Sequence, residues 1–414
     1  MTVSSSLFSN SPPYQGDPIL ALVDAFSNDD RPGKVSLSIG LYFDEHGRLP
    51  VLQAVRKAEE FLFRRGGPSP YLPMEGSPGY REAVQHIVFG AAHPAVSSGR
   101  IVTVQSLGGS GALRVGADLL RARLGCQRVY VPDPTWDNHF ALFEGAGYSV
   151  GTYPYYEPGT AGVAFEAMLS ALRVLPPRSV VLLHASCHNP TGIDLDREQW
   201  RQLTDLFVDR GLIPFIDMAY QGFGDGLDED AFAIRALADT NLEFLVANSF
   251  SKNFSLYGER AGGLSVVCKD AAAAQLVLGQ LKLTIRGNYS TPPAHGAAVV
   301  GAILQSKELR ELWSGELTAM RERIRGMRER LHRALSQRCG SRHDFGYLVN
   351  QRGMFSYTGL DAQQVQRLRD EHAVYLVASG RICIPGLTEQ SIEKVSEAMA
   401  DVLSPLDRRD GGVR

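Results

Sequence analysis

Lys252 stands in SFSKNFSLYGER (249–260), directly after the apolar run EFLVAN (243–248). A lysine in partly dry surroundings loses basicity and becomes an amine nucleophile; one that snorkels to the surface does not. Asp217 closes another apolar run, FIDMAYQGF (215–223). A carboxylate there asks for a cationic or protonated partner, unless it only caps a following turn. Tyr220 follows three residues on, within reach of the same space. In HASCHNPTG (184–192) the Asn-Pro step makes a turn that carries the Asn189 amide above a strand end, as a ligand group or as an Asx-turn. In LGGSGALRVG (107–116) Ser110 opens a helix, where it serves one phosphate or is a plain N-cap. Arg114 occupies the last position of a G-x-G-x-x-G fingerprint, and GxxxxGK[ST] is absent. PTWDNH (134–139) adds the flat face of Trp136. His184, Cys187 and His188 have no second ligand cluster at metal spacing, which argues against zinc.

These groups need elements to hold them. Short β-branched runs recur at 100–104, 128–131, 148–153, 179–185, 212–217, 243–248 and 263–267. Helical stretches at 111–124, 136–147, 165–175 and 196–211 fill most gaps. Alternating strands and helices predict a mostly parallel seven-stranded sheet with helices on both faces, an α/β fold. Ligands then bind beyond the carboxyl ends of the strands, in the loops after 104, 131, 185, 217 and 248. Apolar residues at 309, 313, 317, 320, 324, 327, 331 and 335 predict a long amphipathic helix. Short strands near 354–357 and 374–376, with helices near 361–371 and 388–401, predict a smaller α/β domain. The expected division is 1–47 as an N-terminal segment packing with the small domain, 48–318 as the large domain and 319–414 as the small one.

The 414 residues are 44% hydrophobic and 21% charged, with a net charge of -3, which points to no nucleic acid and no anionic membrane. The basic run at 321–333 is interleaved with Glu322 and Glu329 and reads as a solvated helix face. Five scattered cysteines without a CxxC pair argue for reduced thiols in a cytosolic chain. The N-terminus has no signal-peptide pattern, and no apolar run approaches a membrane span.

Taken together, the strand ends offer hydroxyls and Arg260 for a phosphate, an aspartate seeking a cation, a tyrosine, an asparagine, an aromatic face and a lysine amine. Pyridoxal 5′-phosphate asks for this whole set.

The chain resembles the fold-type I pyridoxal-phosphate aminotransferases, in the class I aspartate/aromatic branch, and within it the bacterial aromatic-amino-acid (tyrosine) aminotransferases. The likeness runs from KVSLSIGLYFDEHGRLPVLQAV (34–55) to SGRICIPG (379–386). It is carried by SPYLPMEG (69–76), LGGSGALRVGADLL (107–120), CHNPTG (187–192), NSFSKNFSLYGERAGGLSV (248–266), RGNYSTPPAHGA (286–297) and NQRGMFSYTGL (350–360). The resemblance implies Lys252 as the Schiff-base lysine that holds the cofactor and then shuttles a proton as general acid/base. It implies Asp217 at the pyridine nitrogen, Tyr220 and Asn189 at the phenolic oxygen, and Trp136 stacked on the ring. Gly109, Ser110, Ser249 and Arg260 form the phosphate cup, which Tyr71 reaches from the other subunit of a homodimer. His139 and His184 support Asp217 from behind. Arg381 clamps the α-carboxylate, Gly40 lies in a segment closing over substrate, and Arg286, supplied across the dimer with Ser290 beside it, takes a distal carboxylate. Ser110 stands where many aspartate aminotransferases have threonine, and Thr291 where they usually have asparagine.

The implied activity passes the amino group of an aromatic amino acid or aspartate to 2-oxoglutarate by ping-pong chemistry between pyridoxal and pyridoxamine forms of the cofactor. The alternative is an aspartate aminotransferase with little aromatic activity. A cofactor-binding regulator would need an added DNA-binding domain, and a lyase would not need both Arg286 and Arg381.

Overall fold

The computed structural model describes residues 8–9, 11–13 and 16–404; the outermost parts of the expected terminal regions, 1–7, 10, 14–15 and 405–414, lie outside it. The seven expected strands form one sheet: β1 (Ile101–Leu107), β2 (Arg128–Asp133), β3 (Ser149–Pro154), β4 (Val180–His184), β5 (Ile213–Met218), β6 (Phe244–Ser249) and β7 (Ala261–Val267). Their spatial order is β1-β7-β6-β5-β4-β2-β3. All neighbours are parallel except β7, which runs antiparallel to both β1 and β6. The chain therefore enters β7 at the edge where the other strands end, and Arg260, one residue before β7, arrives beside Leu107 and Ser249.

The strands form because their β-branched residues pack on both faces at a period of two. In β4, Val180 and Leu182 join one apolar core while Val181 and Leu183 join the other. Helix α1 (Pro18–Ser27) lies in the N-terminal segment, capped by Asp17. Helix α2 (Gly108–Leu124) follows β1 without a loop. It packs close to the sheet because Gly116 has no Cβ; one there would stand 2.4 Å from Phe215 Cζ of β5. Burying a phenylalanine such as Phe215 contributes about 1.5–3 kcal/mol, so this close approach anchors α2 and the direction of its N-terminus.

Helix α2 begins at Gly108, three residues before the expected start, with Leu107 as its N-cap residue and no side-chain cap. Ser110 is therefore inside the first turn and is not the N-cap. Helix α3 (Ala271–Asn288) was not foreseen; its run of alanines and scattered apolar residues shows no clear period in the sequence. Helix α4 (Lys307–Cys339) is the long amphipathic helix and runs unbroken through the expected boundary at 318/319. Two short pairings complete the frame. Val35–Ser36 pairs in parallel with Val374–Tyr375, and Phe355–Tyr357 pairs antiparallel with Arg381–Cys383. No helix among the described residues is long and apolar enough to cross a membrane.

Candidate active site

The carboxyl ends of the parallel strands open onto a cavity of about 290 Å³. Its wall contains Gly109 and Ser110 from the start of α2, Trp136 after β2, His184 at the end of β4 and Asn189 after it, and Asp217 at the end of β5 and Tyr220 after it. Ser249 ends β6, Ser251, Lys252 and Arg260 come from the turn between β6 and β7, and Gly40 and Arg381 come from segments far apart in sequence.

Asp217 is the buried carboxylate at the end of β5, 5% exposed. It is no N-cap. Its Oδ2 lies 3.2 Å from His139 Nε2, and His139 Nδ1 lies 2.8 Å from Thr135 Oγ1. Burial raises the Asp217 pKa, but the His139 hydrogen bond, helped by the nearby Lys252 charge, outweighs it, so the pKa is lowered and the carboxylate stays ionised. His184 pairs with Asp217 across β4 and β5. Burial pushes its pKa down to about 3, so it is a neutral imidazole. The ligand atoms of His139, His184 and Asp217 lie within 4.8 Å of one another, but Cys187 is not part of that group. Its thiol is buried and directed at the Tyr220 carbonyl.

Lys252 is half-buried, its ammonium 4.9 Å from the centre of the Tyr220 ring. Burial first, and then the positive charges of Arg260 and Arg381, lower its pKa to about 8 against the pull of Asp217. Arg260 adopts a left-handed backbone (φ 52°) and donates from Nη1 to Tyr257 O at 2.9 Å and Ser251 Oγ at 3.4 Å. Ser249 Oγ accepts from Ser251 N. Gly108 and Gly109 leave room beside them: a Cβ on Gly108 would stand 2.7 Å from Arg260 Nη2, and one on Gly109 3.3 Å from Ser249 Cβ.

Arg381, 6% exposed, donates from Nη1 to Asn189 Oδ1 (3.2 Å) and from Nη2 to Ser38 O (2.8 Å), and its guanidinium lies 4.2 Å from the Phe355 ring centre. Gly40 faces that ring; a Cβ there would meet Phe355 Cζ at 2.9 Å. Tyr220 packs edge-on against Phe355 at 5.9 Å, and Trp136 edge-on against His139 at 5.3 Å.

The cavity thus gathers Lys252, Arg260 and Arg381 against one carboxylate, Asp217. Among the described residues none of these three cations forms an ion pair; their contacts are hydroxyls, carbonyls, an amide and aromatic rings. Such a site suits an anionic guest with a phosphate and a carboxylate. The residues present fit pyridoxal 5′-phosphate on that ground: a glycine cradle beside Arg260, a depressed amine and an ionised carboxylate face one space.

Three expected residues stand apart. Tyr71 is 94% exposed. Arg286, near the end of α3, is exposed and donates to Ser290 Oγ. None of the three lines the cavity of its own chain. Conversely, Ile19 of α1, Ile39, Tyr257 and Phe355 line the wall without having been singled out. Apolar and aromatic residues carry no chemical signature of a site, and nothing in the sequence spacing separates them from core positions.

The sequence profile described as aminotransferase class I and II matches residues 32–399. The chain belongs to that family. This aminotransferase is 55% identical over 391 residues to the aromatic-amino-acid aminotransferase of Escherichia coli (strain K12), covering 94% of this chain and 98% of that protein. It is 48% identical over 398 residues to the aspartate aminotransferase of Pseudomonas aeruginosa, covering 96% and 100%. Its fold matches that of the aromatic-amino-acid aminotransferase from Burkholderia pseudomallei, solved covalently bound to pyridoxal phosphate. The TM-score is 0.95 at 48% identity, covering 97% of this aminotransferase and 100% of that chain.

Proposed function

We propose that this aminotransferase moves the amino group of tyrosine, phenylalanine or aspartate to 2-oxoglutarate, using pyridoxal 5′-phosphate carried on Lys252. The observation that carries the reading is the set of three unpaired cations around one ionised carboxylate. Pyridoxal 5′-phosphate, when bound, supplies an electron-accepting ring joined to an aldehyde that condenses with amines.

The chain's residues divide the remaining work. Asp217, held by His139, would keep a negative charge for a protonated ring nitrogen of the cofactor. Ser110, Ser249, Arg260 and the N-terminal N–H groups of α2 would receive the phosphate with Gly109. Asn189 and Tyr220 would hold the phenolic oxygen, and Trp136 would offer its face to the ring. Arg381 holds the substrate α-carboxylate by a two-pronged contact. Lys252, with its pKa near 8, takes and returns a proton at Nζ close to working pH. His184, neutral, stands behind Asp217. Gly40 lies where a segment closes over the substrate. The two half-reactions use the same cavity in turn, a ping-pong order.

Exposed large apolar side chains support a homodimer: Phe63 is 88% exposed, and Leu276 and Leu283 of α3 are 74% and 60% exposed. In that assembly Tyr71 and Arg286, with Ser290 beside it, serve the partner's cavity, where Arg286 takes a distal carboxylate. The division at 48–318 and 319–414, with 1–47 joined to the smaller part, draws support from the pairing of Val35–Ser36 with Val374–Tyr375. The burial of all five cysteine side chains supports a reducing, cytoplasmic setting.

Steady-state turnover of aspartate, tyrosine, phenylalanine and leucine against 2-oxoglutarate tests the function. With 2-oxoglutarate withheld, an active donor shifts the absorbance band of the bound cofactor; no shift with any of the four overturns the reading. Arg286→Leu separates the donors, because it removes the partner of a distal carboxylate and leaves room for a ring. Equal losses for aspartate and phenylalanine would count against that role.

A further inference from the structure

Arg328 on α4 is a buried guanidinium, 2% exposed, and does not touch the cavity. Its partners are neutral. Nη1 donates to Leu348 O at 3.1 Å and to Ser356 Oγ, and Nη2 to Gly353 O at 2.8 Å, Arg352 O at 3.3 Å and Phe355 O. A buried cation without a carboxylate partner is costly compared with an apolar side chain of similar length. All five acceptors lie in one short segment, 348–356, so the side chain fixes that segment's course.

The segment leads to Arg381 by two routes. Phe355 and Arg381 belong to the paired strands Phe355–Tyr357 and Arg381–Cys383. Alternation puts Phe355 on the same face as Arg381 and Ser356 on the opposite face, where Arg328 holds it. The Phe355 ring is the surface under the Arg381 guanidinium, at 4.2 Å. By the second route, Arg352 N donates to Gly192 O at 2.6 Å, and Gly192 N donates to His188 O, closing the turn that carries Asn189. Asn189 Oδ1 is the acceptor for Arg381 Nη1. The joint is tight: a Cβ on Gly192 would stand 2.5 Å from Phe355 O.

We propose that Arg328 is a positioning residue for substrate carboxylates, acting through Phe355 and the Asn189 turn to fix the direction of the Arg381 guanidinium. This rests on the reading of Arg381 as the α-carboxylate clamp. A directional two-pronged contact loses affinity when its fork tilts, while the proton transfer at Lys252 is served by other elements.

The test compares holoenzyme variants Arg328→Met, Arg328→Lys, Ser356→Ala, Arg381→Lys and the double variant Arg328→Met/Arg381→Lys. The measurements are KM and kcat for tyrosine and 2-oxoglutarate, calorimetric affinity for 3-phenylpropionate (a carboxylate without an amino group) and melting temperature. Arg328→Met is expected to raise both KM values and weaken 3-phenylpropionate together, by about tenfold, with kcat within about threefold. Arg328→Lys should recover part of the loss, and Ser356→Ala should shift KM in the same direction by less. The double variant should be no worse than Arg381→Lys alone, because both changes act on one contact. A KM unmoved by Arg328→Met, or losses that multiply in the double variant, overturns the proposal. If Arg328→Met does not fold, Arg328→Lys and Ser356→Ala decide: unchanged KM and 3-phenylpropionate affinity in both overturns it. A KM unaffected by Arg381→Lys instead overturns the reading of Arg381, and this proposal with it.

Discussion

His139 Nε2 stands 3.2 Å from Asp217 Oδ2 while its Nδ1 meets the Thr135 hydroxyl at 2.8 Å. The ring is held at both edges, so the carboxylate it contacts is fixed in direction as well as charge. Asp217→Ala is expected to lower kcat by roughly 10²–10³-fold. His139→Asn, which leaves the carboxylate in place, should cost about tenfold. Single-turnover rates with tyrosine check both; an Asp217→Ala enzyme within tenfold of the parent would remove Asp217 from the mechanism.

Lys252 gives a pH signature in the protein freed of cofactor. Its pKa falls from 10.5 unfolded to about 8 folded. Between those values the unfolded chain binds a proton that the folded chain has released. Stability therefore rises with pH across that window, and below it the partly desolvated ammonium is a constant cost. Lys252→Met should raise the melting temperature of the cofactor-free protein at pH 7, with the gain shrinking toward about pH 10. A gain that is independent of pH would contradict the depressed amine.

His184 predicts the acid side. Its pKa drops from 6.5 to about 3 on folding, so the folded chain refuses a proton that the unfolded chain accepts in between. Stability is lost as pH falls through that range. In denaturant titrations, His184→Gln should lose less stability between about pH 7 and pH 4 than the parent. Equal losses would mean that His184 protonates in place.

Gly40 predicts a steric effect at a distance from the reacting atoms. In Gly40→Ala the new methyl meets Phe355 Cζ at 2.9 Å, and the ring must shift under Arg381. The expected result is a rise in KM of about three- to tenfold for both substrates, with little change in the melting temperature. Gly40→Ala combined with Phe355→Leu relieves the clash and should fall below the sum of the two single losses.

Much of the frame was legible in the sequence because its signals are local. Each strand of the large sheet is a β-branched run, and α4 shows its period over eight positions. Lys252, Asp217 and Asn189 stood out because polar residues close apolar runs, which has a physical cost that a reader can see. The start of α2 was misjudged because glycines at 108 and 109 look like a loop; the antiparallel entry of Arg260 beside them is a tertiary fact. Arg328 was hidden for a different reason. In MRERIRGMRERLHR it is one arginine among several, and only the fold decides that this one points inward. Phe355 was hidden likewise, since an aromatic residue in a short strand reads as core.

The cavity takes residues from Ile19 to Arg381, and the pairing of Val35–Ser36 with Val374–Tyr375 ties the two ends together. The first segment of the site finds its neighbours through contacts distant in sequence, such as Arg381 to Ser38 at a separation of 343. Closing so long a loop comes after local elements have formed. A fragment that stops before Arg381 lacks the guanidinium that meets Ser38 O. The contact between Arg381 and Ser38 joins residues 343 apart in sequence, so the guanidinium gains its direction only after both segments have docked on the sheet between them.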